Sequence, residues 1–490
     1  MNFFATLEQA FIQHSAKDAL RRPDAATLSY GELNDFIARA ATVLIAQGVQ
    51  PGDRVVAQVE KSAENLGLYL ATLKVGGVYV PLNTAYTEQE LEYFLGDADP
   101  ALFVGSEERT DVNCLTLDAN GGGSFAEQVG GSEPLGTTVA RGSDDLAAIL
   151  YTSGTTGRSK GAMLTHHNLA SNALALCEAW GWKDDDVLLH ALPIFHVHGL
   201  FIASHCALLN GSPMEWLPKF DVATVQEALK RATVMMGVPT FYVRLLDQPD
   251  FPQQSLDHVR VFICGSAPLT EQVFTEWESR TGQRILERYG MSETIINTTN
   301  PLDGDRVPAT VGFALPGLEL RIADDAGNPL AAGEIGTIEV RGENVFQGYW
   351  RMPEKTAEEI RADGFFITGD LGTQDEEGRV AIVGRAKDLV ISGGYNVYPK
   401  EVESVLDEMP EVLESAIIGI PHRDFGEGVV AVVVPRGDEV EIAAIDAFLD
   451  GQIARFKQPK AVINLDELPR NTMGKVQKNL LRETYAHLFE

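Results

Sequence analysis

The chain has 490 residues, of which 44% are hydrophobic and 22% charged, and its formal net charge is −31. That length supports a large core and more than one domain, and the composition is that of a globular protein, which excludes wholesale disorder. So anionic a surface repels nucleic acid and anionic membranes, so neither is expected as a main partner, and a site for an anionic substrate would have to be locally basic.

In chain order, "MNFFATLEQAFIQHSAKDAL" reads as an amphipathic helix and lacks the basic start, apolar run and cleavage site of a signal peptide. "SYGELNDFIARAATVLIAQGV" has helical apolar spacing behind a serine able to cap it. "GDRVVAQVE" follows as a strand, and "SAENLGLYLATLKVGGVYVPLN" as helix, glycine turn and strand. "VLLHALPIFHVHGLFIASHCALLNG" is the most apolar long stretch, yet it holds four histidines and a proline, which suits a buried wall of a site better than a membrane span. "ATVMMGVPTFYVRLL" and "VRVFICGSAPL" are further strand-then-loop units. This alternation predicts α/β architecture with helix-covered sheets, and ligands beyond the carboxyl ends of the strands.

After about residue 315, "LELRIADDAGNPLAAGEIGTIEVRGENVFQGYW" reads as short strands with tight turns, a small β subdomain. A further break falls at "GRAKDLVISGGYNVYPKEVE", and the last hundred or so residues mix strands ("SAIIGI", "VVAVVVP") with helices ("EVESVLDEMP", "IAAIDAFLDGQIARF"), enough for an α+β domain. The predicted division is 1–386 and 387–490. The four cysteines, Cys114, Cys177, Cys206 and Cys264, are widely and irregularly spaced, which argues against a zinc knuckle and for a reducing, cytoplasmic compartment.

One stretch cannot be core. "YTSGTTGRSKGAM", Tyr151–Met163, carries three glycines, several hydroxyls and two basic residues, a composition suited to phosphate. It fails the Walker spacing, because Ser159 and Ala162 stand where the second glycine is required. By itself it is equally a surface turn.

Five other stretches change that reading: "GSAPL" (265–269), "ERYGMSET" (287–294), "TGD" (368–370), "GRAKDLVISGGYNVYPKEVE" (384–403) and "PRNTMGK" (469–475). Together and in this order they resemble the signatures of the AMP-forming, acyl-activating superfamily of acyl-CoA synthetases, luciferases and adenylation domains. Within it, "VEKSAENLGLYLATLKVGGVYVPLNTAYT", "LPIFHVHGLF", "NPLDGDRVPATVG" and "YWRMPEKT" resemble malonyl-CoA synthetases. The resemblance implies a large N-terminal domain binding ATP and acid, and a smaller mobile C-terminal domain that brings a catalytic lysine and then presents CoA. It implies an acyl-adenylate made from ATP with loss of pyrophosphate, then displacement of AMP by the CoA thiol, with Mg²⁺ as cofactor.

The site residues the resemblance implies follow its motifs. Thr152, Ser153, Gly154, Thr155, Thr156 and Lys160 would hold the β- and γ-phosphates. Ser266, Ala267 and Pro268, behind Gly265, would edge the adenine pocket, and Glu287, Arg288, Tyr289, Gly290 and Met291 would form its next wall, with Tyr289 stacking on adenine. Ser292, where most relatives have threonine, would touch the α-phosphate, and Glu293 would hold Mg²⁺. Asp370 would accept from the ribose hydroxyls, with Arg385 beside it. Lys387 would be the hinge, Gly393 and Gly394 would let the pantetheine pass, and Lys475 would neutralise the charge of adenylation.

The acid is argued from charge. A buried arginine needs a partner, and in a small-acid pocket a second substrate carboxylate would supply one. Arg288 is the first candidate, with Ser266, His198 and Arg244 as further donors. His196 would line either the adenylate or the thiol entry. The competing arrangement pairs Arg288 with Glu287 and leaves Arg244 in solvent. The acid would be malonate, with methylmalonate one methyl away. Alternatives are another short acid, a carrier-protein-loading adenylation enzyme, or a non-catalytic binding protein.

Overall fold

The computed structural model describes residues 1–490 except 24, 153–158, 472–473 and 490. Among the described residues the strands form four sheets.

The N-terminal helix Phe3–Gln13 is capped by the Asn2 side chain and buries Phe3, Phe4, Leu7 and Phe11 on one face, as its period requires. Helix Tyr30–Ala46 starts at Ser29 with a full capping box to Glu32, and helix Ala63–Lys74 starts at Ser62, whose side chain accepts from the Asn65 N–H. Helix Ala63–Lys74 packs on a six-stranded sheet whose inner strands Arg54–Gln58, Val78–Pro81 and Leu102–Gly105 are parallel, and helix Tyr30–Ala46 packs against that helix.

A nine-stranded sheet forms the other half of the large domain. Its centre is four parallel strands in the order Leu188–His190, Val234–Gly237, Val261–Cys264 and Leu286–Tyr289. Every residue of these strands is buried, which explains the continuous apolar runs of Val234–Gly237 and Val261–Cys264 in place of alternation, whereas Leu286–Tyr289 buries Glu287 and Arg288. Their carboxyl ends release the segments at Ala191, Val238, Gly265 and Gly290 side by side.

The third sheet is antiparallel, Leu318–Ala323, Gly336–Gly342, Phe366–Gln374 and Val380–Arg385, and is the small β subdomain. The last is built on the long pair Val412–His422 and Gly426–Pro435. Separate apolar clusters cover its two faces, so this α+β unit carries its own core. Here the structure departs from the expected helix "IAAIDAFLDGQIARF". The α-helix covers only Ile442–Leu449, and Gly451, with φ +75°, turns the chain before a short 3-10 turn at Arg455–Lys457. Among the described residues no helix is long and apolar enough to cross a membrane, and all four cysteines are free thiols.

Candidate active site

Gly265 and Ser266 follow the strand Val261–Cys264. A Cβ on Gly265 would lie 2.5 Å from the Arg288 guanidinium carbon, so only glycine leaves that side chain its place. Ser266 sits at φ +73°, a left-handed conformation that costs a residue with a Cβ and aims its hydroxyl inward. Its Oγ lies 3.1 Å from His198 Nδ1.

Arg288 occupies the neighbouring strand, 4% exposed. Its Nε and Nη2 are buried without a hydrogen-bond partner, and it makes no ion pair with a described residue. Burial lowers the guanidinium pKa to about 10, which still leaves it charged at neutral pH. Glu287 does not neutralise it, because successive side chains in a strand leave on opposite faces. The Glu287 carboxyl is also buried, with Oε1 unpartnered, and burial pushes its pKa up to about 8.

The segment after His190 brings two more side chains to Arg288. His198 is buried with Nε2 unpartnered, and burial and the Arg288 charge hold it far below the usual imidazole range. The His198 backbone N–H donates to His196 Nδ1 at 3.3 Å. Burial, Lys475 and Arg288 lower His196 to about 3, so both rings are neutral. Arg244 is not brought here. It lies on the outer side of helix Pro239–Leu246, whose Tyr242 and Leu245 face the core. It stands exposed at the rim of a cavity of about 290 Å³ whose lining includes none of Arg288, Ser266 or His198.

The second half of the site joins three elements. Tyr289 donates its hydroxyl to Asp370 Oδ2 at 2.5 Å, and Arg385, opposite Asp370 in the β subdomain, lies with Nε 2.6 Å from Oδ1. Gly290 turns the chain so tightly that a Cβ would meet the Ile295 carbonyl oxygen at 1.9 Å. Met291 and Ser292 follow half-buried, and Glu293 is buried, with its carboxyl pKa raised by that burial. Tyr349 donates its one hydroxyl proton to Glu359 Oε2 at 2.6 Å, its oxygen lies 3.1 Å from Glu293 Oε1, and Lys160 Nζ reaches Glu359 Oε1 at 2.9 Å. Tyr349 and Glu359 escaped the sequence reading, since nothing in "GYWRMPEKTAEE" signals a shared partner on another strand. Thr152 ends the strand Leu146–Thr152, while Ser153, Gly154, Thr155 and Thr156 lie outside the described residues. Ala267 and Pro268 continue the loop after Ser266.

The C-terminal unit completes the site. Lys475 is close enough to Arg385, Asp370, Glu293 and Arg288 for their charges to act on it, and burial lowers its pKa to about 8. Next to it, Gly474 approaches Thr240 of the large domain within 3.6 Å of its Cβ direction. Lys387 is the middle residue of the 3-10 turn Ala386–Asp388. Gly393 and Gly394, at φ +61° and +82°, form the tight link between strands Val390–Ser392 and Tyr395–Val397.

Arg288, Arg385 and Lys475, with Ser266 and the neutral His198, thus come from five separate segments, which suits anionic ligands. Residues 7–350 match the AMP-binding enzyme family and residues 401–475 its C-terminal domain. The chain belongs to the AMP-binding enzyme family. It is 34% identical to a malonate–CoA ligase of Arabidopsis thaliana, over 94% of this chain and 85% of that one, and 35% identical to an indoleacetate–CoA ligase of Aromatoleum aromaticum, over 96% and 95%. The ATP-bound structure of MatB from Rhodopseudomonas palustris superposes with a TM-score of 0.97 at 55% identity, covering 100% of this chain and 99% of that one. The apo structure of the same enzyme superposes at 0.84. The protein is an AMP-forming acid–CoA ligase. ATP and CoA are therefore its co-substrates. The ligase has a fold of the expected class, large N-terminal and small C-terminal units included.

Proposed function

We propose that this ligase activates malonate, forming malonyl-adenylate from ATP and then malonyl-CoA. One observation carries the choice of acid: a buried, charged Arg288 whose Nε and Nη2 lack partners, packed on Gly265 beside the unpartnered Nε2 of His198. An unpaired buried cation is costly, and a substrate carrying a second carboxylate removes that cost by a forked pair of charged hydrogen bonds. The Ser266–His198 pair adds one further donor at the same place, since one of its two protons is spent on the bond between them. A monocarboxylate would leave the guanidinium unpaired. Malonate–CoA ligase relatives and the likeness to MatB support the same reading.

In this reading the near carboxylate of malonate attacks the α-phosphorus, the bond to the bridging oxygen breaks, and pyrophosphate leaves with its electron pair. Lys475 and Ser292 bind the α-phosphate and offset the charge that builds on it. Tyr289 offers its ring to adenine. Asp370 and Arg385 hold the ribose, and Thr152 with the loop that follows covers the departing phosphates. Lys160 stands ready beside that loop, tied in this structure to Glu359. The buried Glu293 carboxyl, beside the Tyr349 hydroxyl, is a donor of the type Mg²⁺ takes. Glu293 would be its protein ligand, with phosphate oxygens and water completing the shell. When bound, it would neutralise charge on the phosphates. Rotation about Lys387 then withdraws Lys475 and brings Gly393 and Gly394 to the site. The CoA sulfur attacks the carbonyl carbon, and AMP leaves with the electrons of its acyl–oxygen bond.

The test is acid-dependent AMP release over malonate, methylmalonate, succinate, acetate, benzoate and octanoate, with CoA or a carrier protein as acceptor. Malonate is expected to lead with CoA. A lead for a monocarboxylate would remove the argument from Arg288. Arg288→Ala should lower kcat/KM for malonate by about two orders of magnitude, the scale of stripping one member from a buried charge pair, with KM for ATP unchanged.

A further inference from the structure

The two histidines at the acid site ride on a segment with little regular structure. It runs from His190, where a strand ends, to Gly199 inside the π-helical turn His198–Ala203, a geometry frequent at functional sites. The segment folds back so closely that a Cβ on Gly199 would lie 2.1 Å from the Pro193 carbonyl oxygen. The His190 ring holds its two ends together. Nε2 lies 3.0 Å from the Gly199 carbonyl oxygen and 3.2 Å from Ser204 Oγ, and that hydroxyl itself donates to the same carbonyl at 2.8 Å. A carbonyl oxygen only accepts, so the bridge requires the ring proton on Nε2 and leaves Nδ1 as an acceptor.

The donor to Nδ1 is Lys61, whose Nζ lies 2.8 Å away and also donates to the His190 carbonyl oxygen at 2.8 Å. Lys61 is 7% exposed, lies 4.2 Å from the centre of the Trp216 ring and makes no ion pair with a described carboxylate. Burying a lysine in this way is expensive and needs a reason. Both of its hydrogen bonds go to His190, and none goes to Arg288, Ser266 or His198.

We propose that Lys61 is a positioning residue for acid recognition: it fixes the His190 tautomer and clamps the segment 190–199, so that His198 stays against Ser266 and faces the second carboxylate beside Arg288. Burial and the Lys61 charge hold His190 well below the ordinary imidazole range, which agrees with a neutral ring.

The inference rests on the malonate reading for the choice of acid, so wild-type turnover of the acid panel is measured first. If another acid leads, the comparison runs on that acid, and the Lys61 result stands apart from the malonate result. Lys61→Met keeps the length and apolar contacts of the side chain but removes both donors. It should raise KM for the acid roughly tenfold, the cost of a small misplacement, while KM for ATP and the melting temperature stay at wild-type values. Lys61→Arg, which restores donors, should recover part of the acid KM. Equal losses for acid and ATP, or no change in either, overturn the proposal and leave Lys61 as core filling. If Lys61→Met is insoluble, Lys61→Gln, whose shorter side chain withdraws its donor from His190 Nδ1, carries the test: a raised acid KM with an unaltered ATP KM supports the proposal, and unaltered values for both overturn it.

Discussion

Arg288 and Gly265 act as one unit. The glycine contributes no side chain, only the space in which the guanidinium lies. Gly265→Ala should therefore imitate the loss of Arg288, lowering kcat/KM for malonate by roughly tenfold or more through displacement of the fork. Circular dichroism and ATP affinity should be unchanged. A normal malonate kcat/KM in this variant would mean that the acid lies elsewhere. Lys475 supplies a pH signature. Its ammonium is charged below its pKa of about 8 and loses that charge above it. Adenylate formation, followed as kcat/KM, should decline on the alkaline side with an apparent pKa near that value, because the free enzyme must present the charged form. Lys475→Ala should cut adenylate formation by about 100- to 1,000-fold, yet leave thioester formation from supplied malonyl-adenylate intact. Equal loss in both half-reactions contradicts the role.

Between elements, the phosphate side depends on Tyr349. This one hydroxyl joins Glu293, which follows the central sheet, to Glu359, which ends helix Pro353–Glu359, and Glu359 in turn holds Lys160 at the start of strand Lys160–Thr165. Tyr349→Phe leaves the packing against Phe346 but frees both carboxylates. The Mg²⁺ concentration for half-maximal adenylation should rise by about 10- to 100-fold, as when groups that orient a metal ligand are removed. The malonate KM should remain unchanged, because Arg288 lies on the other face of its strand. A variant with wild-type Mg²⁺ dependence would detach Tyr349 from the metal.

At the scale of the whole molecule, the C-terminal unit owns a separate core and can move as a body. Its present arrangement brings Lys475 within reach of the charges of Arg385, Asp370, Glu293 and Arg288, and the superposition is better with ATP-bound MatB than with its apo form at the same 55% identity. Lys387→Pro fixes φ at one value compatible with the 3-10 turn seen here. It should preserve adenylate formation and depress thioester formation, as expected of a hinge that absorbs the rotation. Single-turnover assays of the two half-reactions provide the readout, and equal rates for variant and wild type would move the hinge elsewhere. The net charge of −31 acts at this scale as well. Anionic substrates approach against the global field, so the local cations at the site should make malonate association sensitive to ionic strength.

Local signals settled much of this in advance. Ser29 caps the helix it was expected to cap, and the all-apolar strands sit where two-sided burial demands them. Glycine and hydroxyl residues marked the loops at Gly265 and Gly290, because tight turns restrict residue type locally. Helix Ile442–Leu449 was overestimated because its apolar period runs on through Gly451, whose left-handed backbone ends it. What the sequence determined alone was the set of elements, the motifs and a chemistry that needs them. Tertiary structure decided which charges remain unpaired. Arg288 and Arg244 read alike in one dimension, but one is buried and the other faces solvent. Tyr349, Glu359 and the pairing of Lys61 with His190 were invisible for the same reason. Hydrogen bonds across 10 to 199 residues depend on strand order and side-chain direction, and no local pattern encodes those.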